Sequence, residues 1–467
     1  MRKASWSLIL LTMLLAFATP LRPSSADPAA TTMVYLPVVR DERALRRVNA
    51  PYFNGAVRFP ETAIFWFGRI SQAENYADVR VGYNDTELYL YLAAFDRRIW
   101  YDTTPSLQDL IAWDAATLYL DIGGAPGAAP GASSYQFVTQ FSNGGSRSGY
   151  QAAYRGNGSG WAAAAIPFTT LPGWRGDAPN NNGDDRGWAM TFHIPFTGLG
   201  LAGPPPQGTT WRMAVMLHDR DDATGTPIAA STWPEAVTSG PISWGQLGFG
   251  MPIYSPPPAT PRQTLSVRHK LNGATVEDGD VGGDTNCGNN LDLWTQWGVA
   301  NHAGGSHINI QNQSDVSDWP CFSKTYITFP LDAVPAGKSI ISATLTLQLF
   351  GNAGGPGEAK PSLIQVSTVA ESWNEQALTW NNAPLAEQNI GAAWVNPVAA
   401  FPGWPGVPWT WDVSRAVAEA YASGAPVRLA LYSADSDYHS GKYFVTSETG
   451  DWNEVARPTL QVRWGDP

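Results

Sequence analysis

Three consecutive prolines, Pro256–Pro258, inside the stretch Pro252–Arg262 constrain this 467-residue chain more than any other feature. Proline fixes φ and cannot donate to a strand ladder, and a residue that precedes proline is pushed into an extended conformation. The stretch therefore reads as a semi-rigid polyproline spacer between two bodies. Both flanks have the pattern of β-structure. The run before it closes on Trp244-Gly245-Gln246-Leu247-Gly248-Phe249-Gly250, and the run after it opens on the alternating Thr264-Leu265-Ser266-Val267-Arg268.

Composition agrees with many short strands joined by turns. Gly (46) and Pro (37) are plentiful, Trp stands at 21, and charged residues make up only 15%. The expected fold class is all-β, with two jelly-roll-like β-sandwich domains at 48–251 and 263–467, joined by the Pro-rich linker 252–262. A tail, 27–47, precedes them.

The first 26 residues have the pattern of a secretory signal peptide: Arg2 and Lys3, an apolar run from Leu8 to Phe17, and the small exit Ser24-Ser25-Ala26. That run is too short to span a bilayer, and no later stretch is long enough. The expectation is a secreted, extracellular protein without a transmembrane span, either free or held at the cell surface by something other than a helix. Export also bears on the two cysteines, Cys287 and Cys321. Oxidising surroundings favour a disulfide between them over two free buried thiols.

Charge is unevenly placed. Residues 1–262 hold 19 basic and 20 acidic side chains, whereas 263–467 hold 10 and 20, so the second body carries nearly all of the net −11. Such a field repels a polyanion, which excludes nucleic acid as a partner and suits neutral glycans or bound cations.

In the first body the strand candidates are Ala77–Tyr83, Glu87–Phe95, Ala116–Ile122, Tyr135–Phe141, Ala189–Ile194 and Trp211–His218, with Asn84-Asp85-Thr86 as a turn. In Glu87–Phe95, Leu88, Leu90 and Leu92 share one face and Tyr89, Tyr91 and Phe95 the other, the mark of a strand covered twice. The order of Leu88-Tyr89-Leu90, Trp113–Asp121, His193–Gly200, Trp211–Val215, His218–Asp222, Trp233-Pro234-Glu235 and Trp244-Gly245 resembles the family-nine-like carbohydrate-binding modules, which border the DOMON sandwiches. That resemblance implies sugar binding through stacked aromatics and polar groups. The residues themselves point the same way: Trp100, Trp161, Trp174, Trp188 and Trp233 lie in Gly/Pro/Asn-rich loops beside Arg97, Arg175, Asp177 and Asp185. Sugar rings dock apolar C–H faces on flat aromatic rings, and their hydroxyls need acids, amides or arginine nearby. Taken singly, each Trp reads more readily as a loop-packing residue than as a ligand platform; the cluster is better evidence than any member.

The second body resembles a DNRLRE domain, a β-sandwich appended to secreted polysaccharide-degrading enzymes and surface proteins. The matching residues are Asp284–Asn289, Lys324–Phe329, Val334–Gly337 with Ile340–Leu349, Glu371–Glu375, Thr379–Pro384, Trp411-Asp412-Val413, Ser447-Glu448 and Arg457–Leu460. Trp373 and Trp380 read as core plugs bracketing a polar turn, and Val413–Ser423 as a helix stopped by Gly424. Lys270, Lys324, Lys338, Lys360 and Lys442 form no run, so no basic groove for an acidic polysaccharide is expected. The Gly-rich acidic loop Glu277–Asp284 places Asp278, Asp280 and Asp284 where a structural calcium could bind, although no cofactor is required and a solvated acidic turn is the plainer reading.

No G-x-S-x-G, H-E-x-x-H, P-loop or dinucleotide glycine pattern occurs. Asp184/Asp185 and Asp219/Asp221 are carboxylate pairs of the kind a glycosidase uses, but acids in turns are common on any sandwich. Met213, Met216, His193 and His218 could ligate haem iron, yet no attachment motif accompanies them. The expectation is a secreted, non-catalytic protein that binds polysaccharide or cell-wall glycan, with the first body as sugar reader and the second as adhesion domain. The alternatives are a purely structural spacer and a glycan-cleaving enzyme.

Overall fold

In the computed structural model, residues 45–467 are described except for Ala125, Gly145, Asn289, Asp315, Ser317 and Asp318. The expected signal peptide, 1–26, most of the tail and Asn289 of the DNRLRE-like motif lie outside the described residues. The described chain is nearly all β, with one α-helix, Ser414–Ala422, and it follows the alternating runs closely. Glu87–Phe95 is a strand over the expected residues, and Tyr76–Tyr83, Ala115–Asp121, Ser134–Gln140, Gly187–Pro195 and Thr210–His218 differ from expectation by one or two residues at an end. Among the described residues no helix is long and apolar enough to cross a membrane.

The first sandwich sets a five-stranded sheet, Ala63–Gly68, Tyr76–Tyr83, Glu87–Phe95, Gly187–Pro195 and Thr169–Arg175 in that order, against a second sheet built on Ala115–Asp121, Thr210–His218 and Gly245–Phe249. Alternation decides the facing. Val79, Val81, Leu88, Leu90, Leu92, Phe192 and Ile194 point into one core with Leu118, Leu120, Met213, Val215 and Leu247 from the facing sheet. The turn between Tyr76–Tyr83 and Glu87–Phe95 is held by Asn84, whose Oδ1 accepts from the backbone N–H of Thr86 and of Glu87, both at 2.9 Å.

In the second sandwich, Thr260–Arg268, Thr459–Asp466, Ser339–Asn352, Lys442–Val445 and His307–Ile310 form one sheet, with Val407–Asp412 paired to Ser339–Asn352. Leu345, Leu347 and Leu349 face Ile327, Ile364, Val366, Leu429 and Leu431 of the opposite sheet. The helix packs beside this core and ends where expected, at Gly424, whose φ of +67° suits a left-handed C-terminal residue.

The expectation that a prolyl arm keeps two bodies apart is corrected. Residues 44–467 make one compact unit. One long sheet runs through both halves: Arg47–Ala50 pairs in parallel with Gly245–Phe249 of the first sandwich and, at Arg47, with Gln388 of the second. The prolyl segment itself lies along the second sandwich, with the Tyr254 hydroxyl donating to the Ile340 carbonyl at 2.6 Å. Its last residues already belong to the edge strand Thr260–Arg268, where Pro261 is tolerated because the outer N–H positions need no partner.

The physical reason is the outer face of the five-stranded sheet. Ile64, Trp66, Tyr76, Ala93 and Phe95 point away from the first core and would face water in a separated domain. They are buried instead against Val281, Trp297, Trp319, Phe322, Tyr326, Trp380 and Tyr432 of the second half. Removing so many aromatic rings from water is the main driving force for this contact. The doubly apolar pattern of Glu87–Phe95 is therefore a strand covered twice, the second cover being the other sandwich.

Asp78 and Lys324, inside this junction, are hydrogen-bonded. Asp78 accepts from the hydroxyls of Tyr76 (2.8 Å) and Tyr432 (2.9 Å) and from Asn312 Nδ2 (3.0 Å). Lys324, fully buried, donates to the Tyr76 hydroxyl at 2.8 Å and stands 3.7 Å from the Trp380 ring centroid. Burial holds its ammonium well below the ordinary lysine range, against the opposing pull of Asp78.

Candidate functional site

The tryptophans expected to read sugar in the first sandwich are mostly internal. Trp188 and Trp233 are each 1% exposed and Trp100 is 9% exposed, so they present no ring face to a ligand. Trp188 donates its indole N–H to Asp96 Oδ2 at 3.0 Å and Trp233 packs on Phe65, which are core roles. These three correct the expectation: Trp188 and Trp233 stand on the strands Gly187–Pro195 and Ser231–Trp233 with their rings turned inward, and Trp100, in the segment after Glu87–Phe95, is packed inward too. Trp161 is half-buried and lies parallel to Trp244 at 6.3 Å. Trp174, also half-buried, borders with Arg175 and Trp188 a recess of about 190 Å³. Arg97 is ion-paired to Asp184 at 2.8 Å, and Asp177 accepts from Asn181 at 3.2 Å within the neighbouring loop. Trp174, Arg175 and Trp188 thus meet at one recess, whereas Trp161 and Trp233 lie elsewhere beside Trp244 and Phe65, so the eight residues do not form one platform.

The side chains considered for haem are engaged elsewhere: Met213 is buried in the first core and Met216 packs beside Tyr119 and Trp244. His193 Nδ1 lies 3.0 Å from Glu87, and His218 Nε2 lies 3.0 Å from the Thr117 hydroxyl on the neighbouring strand Ala115–Asp121.

An open aromatic surface lies on the second sandwich. Phe401 is 57% exposed, Trp404 42% and Trp452 71%. Their rings form a continuous ridge, with Phe401 5.1 Å and Trp452 5.5 Å from Trp404 between centroids. Phe350 lies 5.8 Å below Trp404, and His307 lies 4.5 Å from Phe350 and almost parallel to Trp404. Strand alternation accounts for Phe350: Leu345, Leu347 and Leu349 turn inward, leaving Phe350 on the outer face opposite Tyr443 of the next strand. Trp404 stands in the loop between Gln388–Val395 and Val407–Asp412. Trp452 rides on the short 3-10 segment Asp451–Ala456, which the buried Arg457 pins through Asp451 Oδ1 (2.5 Å) and the Thr449 carbonyl (2.7 Å). An exposed ring on a pinned segment is a preorganised contact surface.

Beside this ridge, and sharing His307 with it, is a polar cleft of about 370 Å³ lined by Asp280, Asp284, Thr285, Asn286, His302 and the 303–306 loop. The disulfide Cys287–Cys321 forms as expected and braces the Asp284–Asn286 wall. Asp280 is 3% exposed, and burial pushes its carboxyl up to about 6 while His302 opposes the shift. His302 donates from Nε2 to the Gly282 carbonyl at 2.8 Å, which leaves Nδ1 facing Asp284 at 3.7 Å. Asp278, expected beside these acids, sits on the same strand but accepts from the Ser447 N–H at 2.9 Å, with Glu448 near it. Among the described residues Asp278, Asp280 and Asp284 do not converge on one point.

The ridge carried a signal of the same kind used for the first sandwich: Phe401-Pro402-Gly403-Trp404-Pro405-Gly406 puts two large rings in a Pro/Gly loop. Phe350, Tyr443 and His307 carried none, because an outward position on a strand is indistinguishable from a packed one without knowing what covers it.

An all-β body with an open aromatic ridge beside a polar cleft has the makeup of a carbohydrate-binding module, and the family model that matches part of the chain is of that class. Residues 284–462 match the family model for carbohydrate-binding module family 96, a span that includes the whole ridge and most of the cleft. Two solved structures of a family 9 carbohydrate-binding module from Caldicellulosiruptor kristjanssonii are similar to part of the chain. The one in complex with cellotriose has 14% identity and a TM-score of 0.31, covering 44% of this chain and 100% of that chain. The one in complex with glucose has 13% identity and a TM-score of 0.31, covering 45% and 100%. No curated protein matches the chain.

Proposed function

We propose that this chain is an exported, non-catalytic protein that binds neutral polysaccharide, with Phe401, Trp404 and Trp452 as the sugar-contacting surface. The observation that carries the reading is the exposed Trp404–Trp452 pair, 5.5 Å apart between centroids, inside the span matched to a carbohydrate-binding module family. Exposed indoles on a pinned frame suit the apolar faces of pyranose rings, while Asp284, Thr285, Asn286 and Ser306 offer partners to hydroxyls. The surplus of acids in the second half disfavours carboxylated glycans.

The wider reading keeps the second half as a DNRLRE-type adhesion body and the first as a family-nine-like module whose outer sheet face serves as its support. Export rests on the basic, apolar and small-residue order of the first 26 residues and agrees with a closed disulfide. One observation favours a second reading, cleavage of glycan: Asp280, held up to about 6, stands in a cleft with Asp284. Against it, Asp280 is 3% exposed and cannot reach a bound sugar.

Affinity electrophoresis of the full chain through gels containing soluble β-glucan, xylan, galactomannan or polygalacturonate tests the proposal, with a reducing-end assay on the same mixtures. Retardation by a neutral polysaccharide without new reducing ends is expected. Retardation by none of the neutral gels, or release of reducing ends, contradicts it.

A further inference from the structure

We propose, resting on the ridge as the sugar-contacting surface, that ridge and cleft are one groove whose ligand is a single isolated glycan chain and not the face of a crystalline glycan. The chain lies on Trp404, beside Phe401 and Trp452, and passes His307 into the space walled by Asp284, Asn286 and Ser306.

The first observation is the set of ring planes. Trp452 meets Trp404 at 79° and Phe401 meets it at 71°. A crystalline face is flat and offers many parallel chains, so its binder needs several rings in one plane, each under a separate sugar. Rings that cross nearly at right angles cannot lie together on such a face. Whichever ring serves as the floor beneath a sugar, a neighbour stands as a wall.

The second observation is what comes next along the groove. The His307 imidazole lies within 8° of the Trp404 plane, 6.5 Å away between centroids, at the start of the edge strand His307–Ile310. Burial pushes its pKa below the ordinary histidine value, so near neutral pH the ring is uncharged, with one nitrogen to donate and one to accept. His307 also lines the cleft, and so joins the apolar surface to the polar one.

Beyond His307 both walls are fixed before any ligand arrives. Asp284 Oδ1 accepts from the Asn286 N–H at 2.6 Å. In the facing loop the Gly304 N–H donates to Glu375 Oε1 at 2.9 Å, and the Thr446 hydroxyl donates to the Gly305 carbonyl at 2.8 Å. A Cβ on Gly304 would meet nothing within 4 Å, so this wall is low and leaves the groove open above it.

The two ends ask for different parts of a sugar. Aromatic rings take the apolar C–H face, whereas carboxylate, amide and hydroxyl groups take the hydroxyls at the ring edge. In a crystalline glycan those edge hydroxyls are bonded to neighbouring chains, and only the face is offered. An isolated chain offers both at once. A groove with aromatic rings at one end and polar walls at the other therefore selects the isolated chain, and only a chain that reaches both ends uses all of it.

Depletion of the full-length protein from solution is measured on amorphous and crystalline forms of cellulose, chitin and mannan, and on soluble β-glucan and xylan. Binding to soluble or amorphous chains should exceed binding to the crystalline form by about tenfold or more per unit of accessible surface. Isothermal titration with oligosaccharides of the polymer bound, from disaccharide to hexasaccharide, should show affinity rising with length. Asn286→Ala and His307→Ala, both at exposed positions, should each cut that gain about fivefold, whereas Trp452→Ala weakens every length. Equal binding to the crystalline form, or a gain with length that neither cleft variant alters, overturns the single groove even where the ridge binds sugar. Binding to no glycan, soluble or solid, removes the ridge reading first and this inference with it.

Discussion

The side-chain amide of Asn381 takes both backbone hydrogen-bonding groups of Ile70: the Ile70 N–H donates to Oδ1 and Nδ2 donates to the Ile70 carbonyl, each at 2.8 Å. Two more amides of the second half do the same to the first. Gln365 accepts from the Ile64 N–H (3.2 Å) and donates to the Thr62 carbonyl (2.7 Å), and Asn389 accepts from the Asn49 N–H (2.7 Å) and donates to its carbonyl (3.0 Å). A carboxamide has the donor and acceptor of a peptide group, so each acts as a short piece of neighbouring strand. Asn381→Ala leaves two buried backbone groups of Ile70 unpaired, and urea unfolding should show a loss of about 2–3 kcal/mol.

Trp380 occupies the centre of the junction, 4.9 Å from Tyr76 and 4.7 Å from Trp297, with Lys324 over its face at 3.7 Å. Because the halves share this contact, calorimetry of the wild type should show one cooperative transition. Trp380→Ala removes a buried indole and uncovers the ammonium, at a cost of about 3–5 kcal/mol. It should also divide the endotherm into two.

The disulfide Cys287–Cys321 closes a loop of 34 residues around the cleft wall. Cys321→Ser should lower stability by roughly 4 kcal/mol on the chain-entropy account, and reduction of the wild type should reproduce the loss.

Much of the fold was legible because strand alternation is written directly in runs such as Glu87–Phe95 and Ser339–Asn352. Trp380 was legible as a core plug because it brackets a turn of fixed chemistry, Asn381-Asn382. What covers an outward apolar face is not local information. Tyr91, Ala93 and Phe95 announce a second cover without naming it, and so the joining of the sandwiches was missed. The same limit misled the reading of Trp188: it and Trp404 both have Gly-rich neighbours in the sequence, but Trp188 is on a strand and turned inward to Asp96 whereas Trp404 stands open.

Burial, with Asp221 repulsion added and Arg220 and Asn75 opposing, pushes the Asp219 carboxyl up to about 7 from an ordinary 3.8. Asp221 rises to about 6 with Asp222 adding and Arg98 and Arg97 opposing, and buried Asp96 and Asp114 also rise. Between pH 3.8 and about 7 the folded chain therefore holds protons that the unfolded chain has released, so stability falls as pH rises through that window. Asp219→Asn should flatten part of the slope in urea unfolding, the rest belonging to groups such as Asp280, also raised to about 6.

The central claim is that the ridge binds glycan. Isothermal titration of the full chain with the neutral polysaccharide that retards it most is the direct measurement, repeated on Trp452→Ala and Trp404→Ala. Trp452 is 71% exposed, so its loss leaves the fold intact while removing a stacking face. Each substitution should weaken binding at least tenfold with an unchanged Tm, the size expected of a central aromatic contact. Affinity unaltered in both variants, with the folded state intact, contradicts the account.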